Sequence, residues 1–112
     1  MIVLDTHAWI WWMAAPSKLS KRARAALESE DAHLVSAISC WEVAMLVAKG
    51  RLQLDRDVLV WIRQALALDK TELVSISPEI AVSAARLDQG FPGDPADRLI
   101  VATALVHGTA LV

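Results

Sequence analysis

The sequence predicts an α/β fold with a parallel central sheet of about four strands and helices on both faces. Three observations carry that expectation. Short, mostly apolar runs recur at wide spacing: Met1-Ile2-Val3-Leu4, Leu34-Val35, Leu73-Val74-Ser75-Ile76 and Thr109-Ala110-Leu111-Val112. Such runs suit strands of a parallel sheet covered on both faces. The segments between them are long enough for crossover helices, and they carry helical spacing. Ser, Asp, Pro and Gly punctuate these segments where helix caps belong.

In order, Met1–Leu4 is the first strand. Thr6–Ala14 follows as a helix with Trp9, Ile10, Trp12 and Met13 at helical spacing, ended by Pro16. Ser20 caps a helix through Leu27, with Lys21, Arg22 and Arg24 on its wet side. Leu34-Val35 is the second strand, with a start as early as His33. Ser39–Ala48 reads as a helix closed by Gly50. Asp55 or Asp57 opens another, to about Leu68. Leu73–Ile76 is the third strand. Ser77-Pro78 is a cap followed by Pro at the first helical position, and this helix runs to about Leu87. The stretch Gln89–Gly93 breaks the pattern. Asp94-Pro95 starts the last helix in the same way, Gly108 ends it, and Thr109–Val112 is the fourth strand.

The chain has 112 residues, which suits one domain with a single core. A hydrophobic content of 55% argues against disorder. The net charge of -2 gives no global basic field, so a nucleic-acid partner would need a local basic patch. Lys18, Lys21, Arg22 and Arg24 form the best such cluster, read either as a solvated helix face or as a phosphate-binding patch. Lys49 and Arg51 are a second candidate. The lone Cys40 excludes an internal disulfide framework and a thiolate zinc cluster, and it fits a reducing compartment. The start lacks a basic region ahead of its apolar run, and no apolar run approaches the ~20 residues of a spanning helix. The expectation is a soluble, cytoplasmic protein with no membrane partner.

Three acids stand where strands end or helices begin: Asp5, Glu42 and Asp97. Each has a structural explanation of its own. Asp5 is a good N-cap for the first helix. Ser39-Cys40-Trp41-Glu42 fits a capping box, with Glu42 folding back to the Ser39 amide. Asp94 caps the last helix, and Asp97 lies in the favourable field of its first turn. Arg98 is expected to pair with Asp94 or Asp97 on the surface. Capping does not explain the coincidence that all three transitions should open on the same sheet edge, where open parallel sheets bind ligands. Carboxylates meeting there repel unless protons or a cation compensate them. Oxygen donors of this kind suit Mg²⁺ or Mn²⁺.

Other α/β chemistries fit poorly. A phosphatase of the haloacid-dehalogenase type wants a second acid two residues after the first, and here that residue is His7. A receiver domain wants a phosphorylated Asp after the third strand, where this chain has Ser77-Pro78. No glycine-rich fingerprint follows the first strand, which excludes the common dinucleotide-binding pattern. His7, His33 and His107 are not spaced as metal ligands. His7 could orient Asp5 or pack on the first helix.

Four stretches together resemble the PIN-domain ribonucleases, in particular the toxins of VapBC toxin–antitoxin systems. They are Val3-Leu4-Asp5-Thr6-His7-Ala8-Trp9 with Trp11-Trp12; Val35 to Ala44; Leu73 to Glu79; and Gly93-Asp94-Pro95-Ala96-Asp97-Arg98 running on to Ala104. The resemblance implies a metal-dependent endoribonuclease neutralised by a VapB-type antitoxin, and a homodimer. It puts the catalytic acids at Asp5, Glu42 and Asp97, with Asp5 and Asp97 holding Mg²⁺ or Mn²⁺. Asp94, Thr6 and Ser39 then support them from behind. The family's last strand is usually followed by Thr or Ser, a variable residue and a fourth Asp, whereas this sequence stops at Val112. The resemblance therefore implies a single PIN domain over residues 1–112 that lacks the family's C-terminal end. That departure keeps a second reading open: a catalytically impaired module that only binds a protein partner. Most of the Trp residues are expected in the core, with either Trp11 or Trp12 reaching a surface patch for a partner.

Overall fold

The computed structural model describes residues 1–88, 91 and 93–112. The break expected at Gln89, Gly90 and Pro92 lies outside the described residues. The first strand, β1 (Ile2–Leu4), is buried along its length. It pairs in parallel with β2 (His33–Ser36), Ile2 opposite His33 and Leu4 opposite Val35. On its other side it pairs with β4 (Ala110–Leu111), Ile2 opposite Ala110. β3 (Thr71–Val74) extends the sheet beyond β2, giving the order β3-β2-β1-β4. The expected α/β architecture is met.

Alternation along the strands divides the core into layers. Ile2, Leu4 and Val35 face one side, where they pack with α1 (Thr6–Ala14), α2 (Lys21–Ser29), α3 (Ala37–Ala48) and α4 (Val58–Leu66) through Trp9, Leu27, Val43 and Trp61. Val3 and Leu34 face the other side, against Ile100 and Ala104 of α6 (Pro95–His107). α5 (Pro78–Ala85) adds Ile80 and Ala84 behind α6. Helices therefore cover both faces, and side chains such as Val3, Leu27 and Val43 have no exposure at all. Each aliphatic side chain buried this way contributes roughly 1.5–3 kcal/mol. Trp9 and Trp61 meet edge to face at 5.3 Å in the first layer.

Most expected caps are present. Ser20 accepts from the Ala23 amide and Ser77 from the Ile80 amide. Asp57, rather than Asp55, caps α4, by accepting from Leu59 and Val60. Three expectations are corrected. α3 begins at Ala37 and is capped by Ser36, whose hydroxyl accepts from the Ile38 amide at 3.2 Å. Ser39 lies inside the first turn, so there is no Ser39–Glu42 capping box. The cause is a strand that passes into a helix with no loop: Ser36 is at once the last residue of β2 and the cap of α3.

β3 begins two residues earlier than its apolar run suggests. It is an edge strand with Glu72 and Leu73 exposed, so burial does not mark it. Its position is set by pairing with β2, where the His33 amide donates to the Lys70 carbonyl at 2.6 Å. The exposed tryptophan is Trp41, at 55%, while Trp11 and Trp12 both pack half-buried against the core. Among the described residues no helix is long and apolar enough to cross a membrane.

The reassigned cap is testable. Ser36→Ala is expected to destabilise the fold by about 1 kcal/mol in urea titrations. A neutral effect there would return the cap of α3 to another residue.

Candidate active site

Strand order places the site. From β1 the chain moves outward to β2 and β3, then returns past β1 to β4. The β1–β4 boundary is thus the point where the direction of winding reverses, and its carboxyl edge is where such sheets bind ligands. Asp5 stands directly beyond β1. Its backbone amide donates to the Val112 carbonyl at 2.8 Å, which ties it to the end of β4. Its carboxylate caps α1 by accepting from the His7 amide at 3.3 Å.

Glu42 reaches the same edge from the second turn of α3. The Thr6 hydroxyl donates to Glu42 Oε1 at 2.5 Å. Thr6 has one proton to give, so its 2.9 Å contact with Ser39 is completed by the Ser39 hydroxyl. Thr6 and Ser39 are almost fully buried, at 1% and 0% exposure. A buried chain Ser39–Thr6–Glu42 therefore runs from α3 through α1 and back, and among the described residues no donor reaches Glu42 Oε2.

Asp97 arrives on α6. Asp94 caps that helix by accepting from the Asp97 amide at 2.9 Å. Gly93 lies so close that an added Cβ would sit 2.7 Å from Asp97 Cβ and 2.5 Å from the Phe91 ring. Only a residue without a side chain lets this segment approach Asp97 unshifted. Asp5 and Asp97 share the wall of an open cavity of about 300 Å³, lined also by Phe91, Ile100 and Leu111.

Burial raises the Glu42 carboxyl above the usual range; the Thr6 hydrogen bond opposes this, and Asp94, Asp97 and Asp5 add to it. Burial likewise raises Asp97, with further repulsion from Asp94 and Asp5. The expected acids are thus brought close enough to disturb one another, and among the described residues none has an ion-pair partner. Arg98 does not supply one, contrary to expectation. Its guanidinium turns away and donates to the carbonyls of Ala84, Leu87 and Asp88, each at 3.3 Å. Those carbonyls lie at and just beyond the C-terminal end of α5, where a cation is favoured. Phe91 lies under the same guanidinium at 5.7 Å. His7 packs its ring against Trp11 at 5.9 Å.

All four acids offer hard oxygen donors, the chemistry that suits a divalent cation of the Mg²⁺ kind. The side chains as they stand are more open than a closed ligand shell: among the described residues, no three His, Cys, Asp or Glu are arranged to hold one ion. Sequence reasoning missed Gly93, the Val112 carbonyl and the true role of Arg98. Only Gly93 left a signal, in Gly-Asp-Pro at a helix start.

A parallel sheet with acids gathered at its winding reversal defines an α/β domain with an acidic site. The chain belongs to the PIN domain family, which its residues 2–112 match. It is 46% identical over 111 residues to Ribonuclease VapC22 of Mycobacterium tuberculosis (strain ATCC 25618 / H37Rv), a match covering 99% of this chain and 84% of that protein. In structure it is similar to a toxin-antitoxin complex from Klebsiella pneumoniae, with a TM-score of 0.67 and 23% identity over 99% of this chain and 83% of that one. It is also similar to VapBC2 from Rickettsia felis bound to a DNA fragment from their promoter, with a TM-score of 0.70 and 18% identity over 99% of this chain and 86% of that one. At these identities the two structures bear on the fold. The family resemblance read from the sequence is met.

A stability prediction follows from the crowded acids. A carboxyl raised in the folded state stabilises the fold below its unfolded pKa and loses that contribution as pH rises through the folded value. Charged Asp97 is therefore a burden at neutral pH. Asp97→Asn in EDTA is expected to melt above the parent chain at neutral pH, with the gap narrowing toward about pH 4. Thermal melts at both pH values check this; an undiminished gap at the lower pH would assign it to another cause.

Proposed function

We propose that this chain is a VapC-type toxin: a Mg²⁺- or Mn²⁺-dependent endoribonuclease, held in check by a VapB-type antitoxin and acting as a homodimer in the cytoplasm. One observation carries the reading. Asp5, Glu42 and Asp97 converge at the winding reversal of the sheet, where the neighbouring carboxylates add to the cost of ionising Glu42 and Asp97, in a chain closely related to a ribonuclease. Asp5 and Asp97 would hold the ion, with Glu42 as a further oxygen donor to it or to its water. When bound, the ion supplies a Lewis acid for the phosphoryl oxygens and acidifies water for attack on phosphorus.

The chain's own groups do the rest. Thr6, backed by Ser39, engages Glu42 Oε1 and fixes the carboxylate, which leaves Oε2 to orient water or take its proton. Asp94 holds the first turn of α6 and so the placement of Asp97. Phe91, Ile100 and Leu111 line the apolar side of the cavity that Asp5 and Asp97 share. An antitoxin that places a basic side chain among these acids would both occupy the cleft and neutralise it. Exposed apolar residues such as Val82 and Leu105 on α5 and α6 support the homodimer.

RNA cleavage by the antitoxin-free chain tests the reading. Cleavage with Mg²⁺ or Mn²⁺ is expected to vanish in EDTA and to fall by about 100-fold or more in Asp5→Asn and Asp97→Asn. Thr6→Val is expected to lose about 10–100-fold, through misplacement of Glu42. Cleavage that survives both EDTA and Asp5→Asn would refute the assignment. Antitoxin binding without cleavage of any structured RNA in a panel would favour the partner-binding module instead.

A further inference from the structure

Asp5 is the common wall of two cavities. The inner one holds Asp97; the outer one, of about 600 Å³, is lined by Asp5, His7, Trp11, Lys18 and Ser20. The outer cavity lies between α1, the short 3₁₀ turn Pro16–Lys18 and the start of α2. No role assigned above uses it.

Its walls combine features that a nucleotide requires. His7 and Trp11 are one helical turn apart on α1 and share a face. Their rings are tilted by 57° at 5.9 Å, so the two are not stacked face to face. Lys18 is exposed beside them, and Lys21, Arg22 and Arg24 continue the positive charge along α2. Among the described residues none of these four cations has an ion-pair partner. The rest of the site is acidic, so these cations form the positive side of an otherwise repulsive cleft. A polyanion lying across Asp5 would meet repulsion on the Asp97 side unless a cation is bound there, and attraction on the Lys18 side. An apolar peptide would have no use for an unpaired lysine at this wall.

We propose that the outer cavity is a substrate subsite, which takes the nucleotide next to the scissile phosphate of a single-stranded RNA. The base stacks on Trp11, Lys18 receives the phosphate, and the α2 cations guide the strand onward. Stacking of this kind tolerates any base, because every base has a π-face. The inference rests on the nuclease reading and names where its substrate lies.

The test is fluorescence anisotropy of a short fluorescein-labelled single-stranded RNA of mixed sequence, in the Asp97→Asn background so that the probe survives. Trp11→Leu is expected to weaken binding about tenfold, with Trp11→Phe restoring most of it. Lys18→Gln is expected to lower the slope of log affinity against log salt by about 0.7. In the cleaving chain, each change is expected to raise KM and leave kcat in place, the mark of lost binding shared by ground and transition states. Lys18 is exposed, so its variant reports even if Trp11→Leu fails to fold. Unchanged affinity and salt slope in Lys18→Gln, with a parent chain that cleaves RNA, would overturn the subsite alone. So would variants that lose only co-purification with the antitoxin, which would make this a protein-binding face. A parent chain that neither binds nor cuts RNA would remove the nuclease reading and the subsite with it.

Discussion

The three residues of β1 are hydrogen-bonded on both edges and packed on both faces, and the other elements take their positions from them. Ile2 and Leu4 commit one layer of helices to one side, and Val3 commits α6 to the other. Register then has no freedom. A slip of one residue would exchange the two faces and drive each side chain into the wrong layer. The same constraint decides where Asp5 stands, because its amide continues the ladder to Val112. The backbone at that acid cannot shift without unpicking the middle of the sheet.

Around that fixed acid the fold arranges the others by different devices. Glu42 is placed by helix register and by a buried hydroxyl pair. Asp97 is placed by a cap, a proline and a glycine that permits close approach. No cation of the described chain neutralises them, since Arg98 is committed to the end of α5. That commitment has a logic of its own. An arginine adjacent to Asp97 in sequence would compete with any cation the acids recruit, and spending its donors on backbone carbonyls removes the competition. The site therefore stores unfavourable charge that the rest of the core sustains, as expected where binding energy is directed at a ligand.

The layer order, most helix caps and the acids themselves were legible in the sequence, because each leaves a local mark. Ser20, Ser77 and Asp94 stand directly before helical patterns, and the alternation of Ile2, Val3 and Leu4 fits a strand covered on both faces. What failed depended on contacts between distant segments. Ser39 looked like a cap only because Ser36 was unassigned, and a strand that becomes a helix without a loop leaves no punctuation. β3 was displaced because an exposed edge strand lacks the apolar signature of its neighbours. Arg98 was misjudged because its partners are backbone carbonyls of another helix, which no spacing rule reveals. Trp41 was passed over because adjacent tryptophans drew attention to Trp11 and Trp12, which both fit the rim of the core.

The strand order also has a meaning in time. Asp5 is synthesised long before its fellow acid Asp97 and its amide partner Val112. While the ribosome is still making the middle, β1 can pair with β2 but has nothing on its other edge. The acidic cluster comes into being only with the return crossover and β4. A domain of this topology makes its acids in two separated instalments, which meet only after the return crossover has been synthesised.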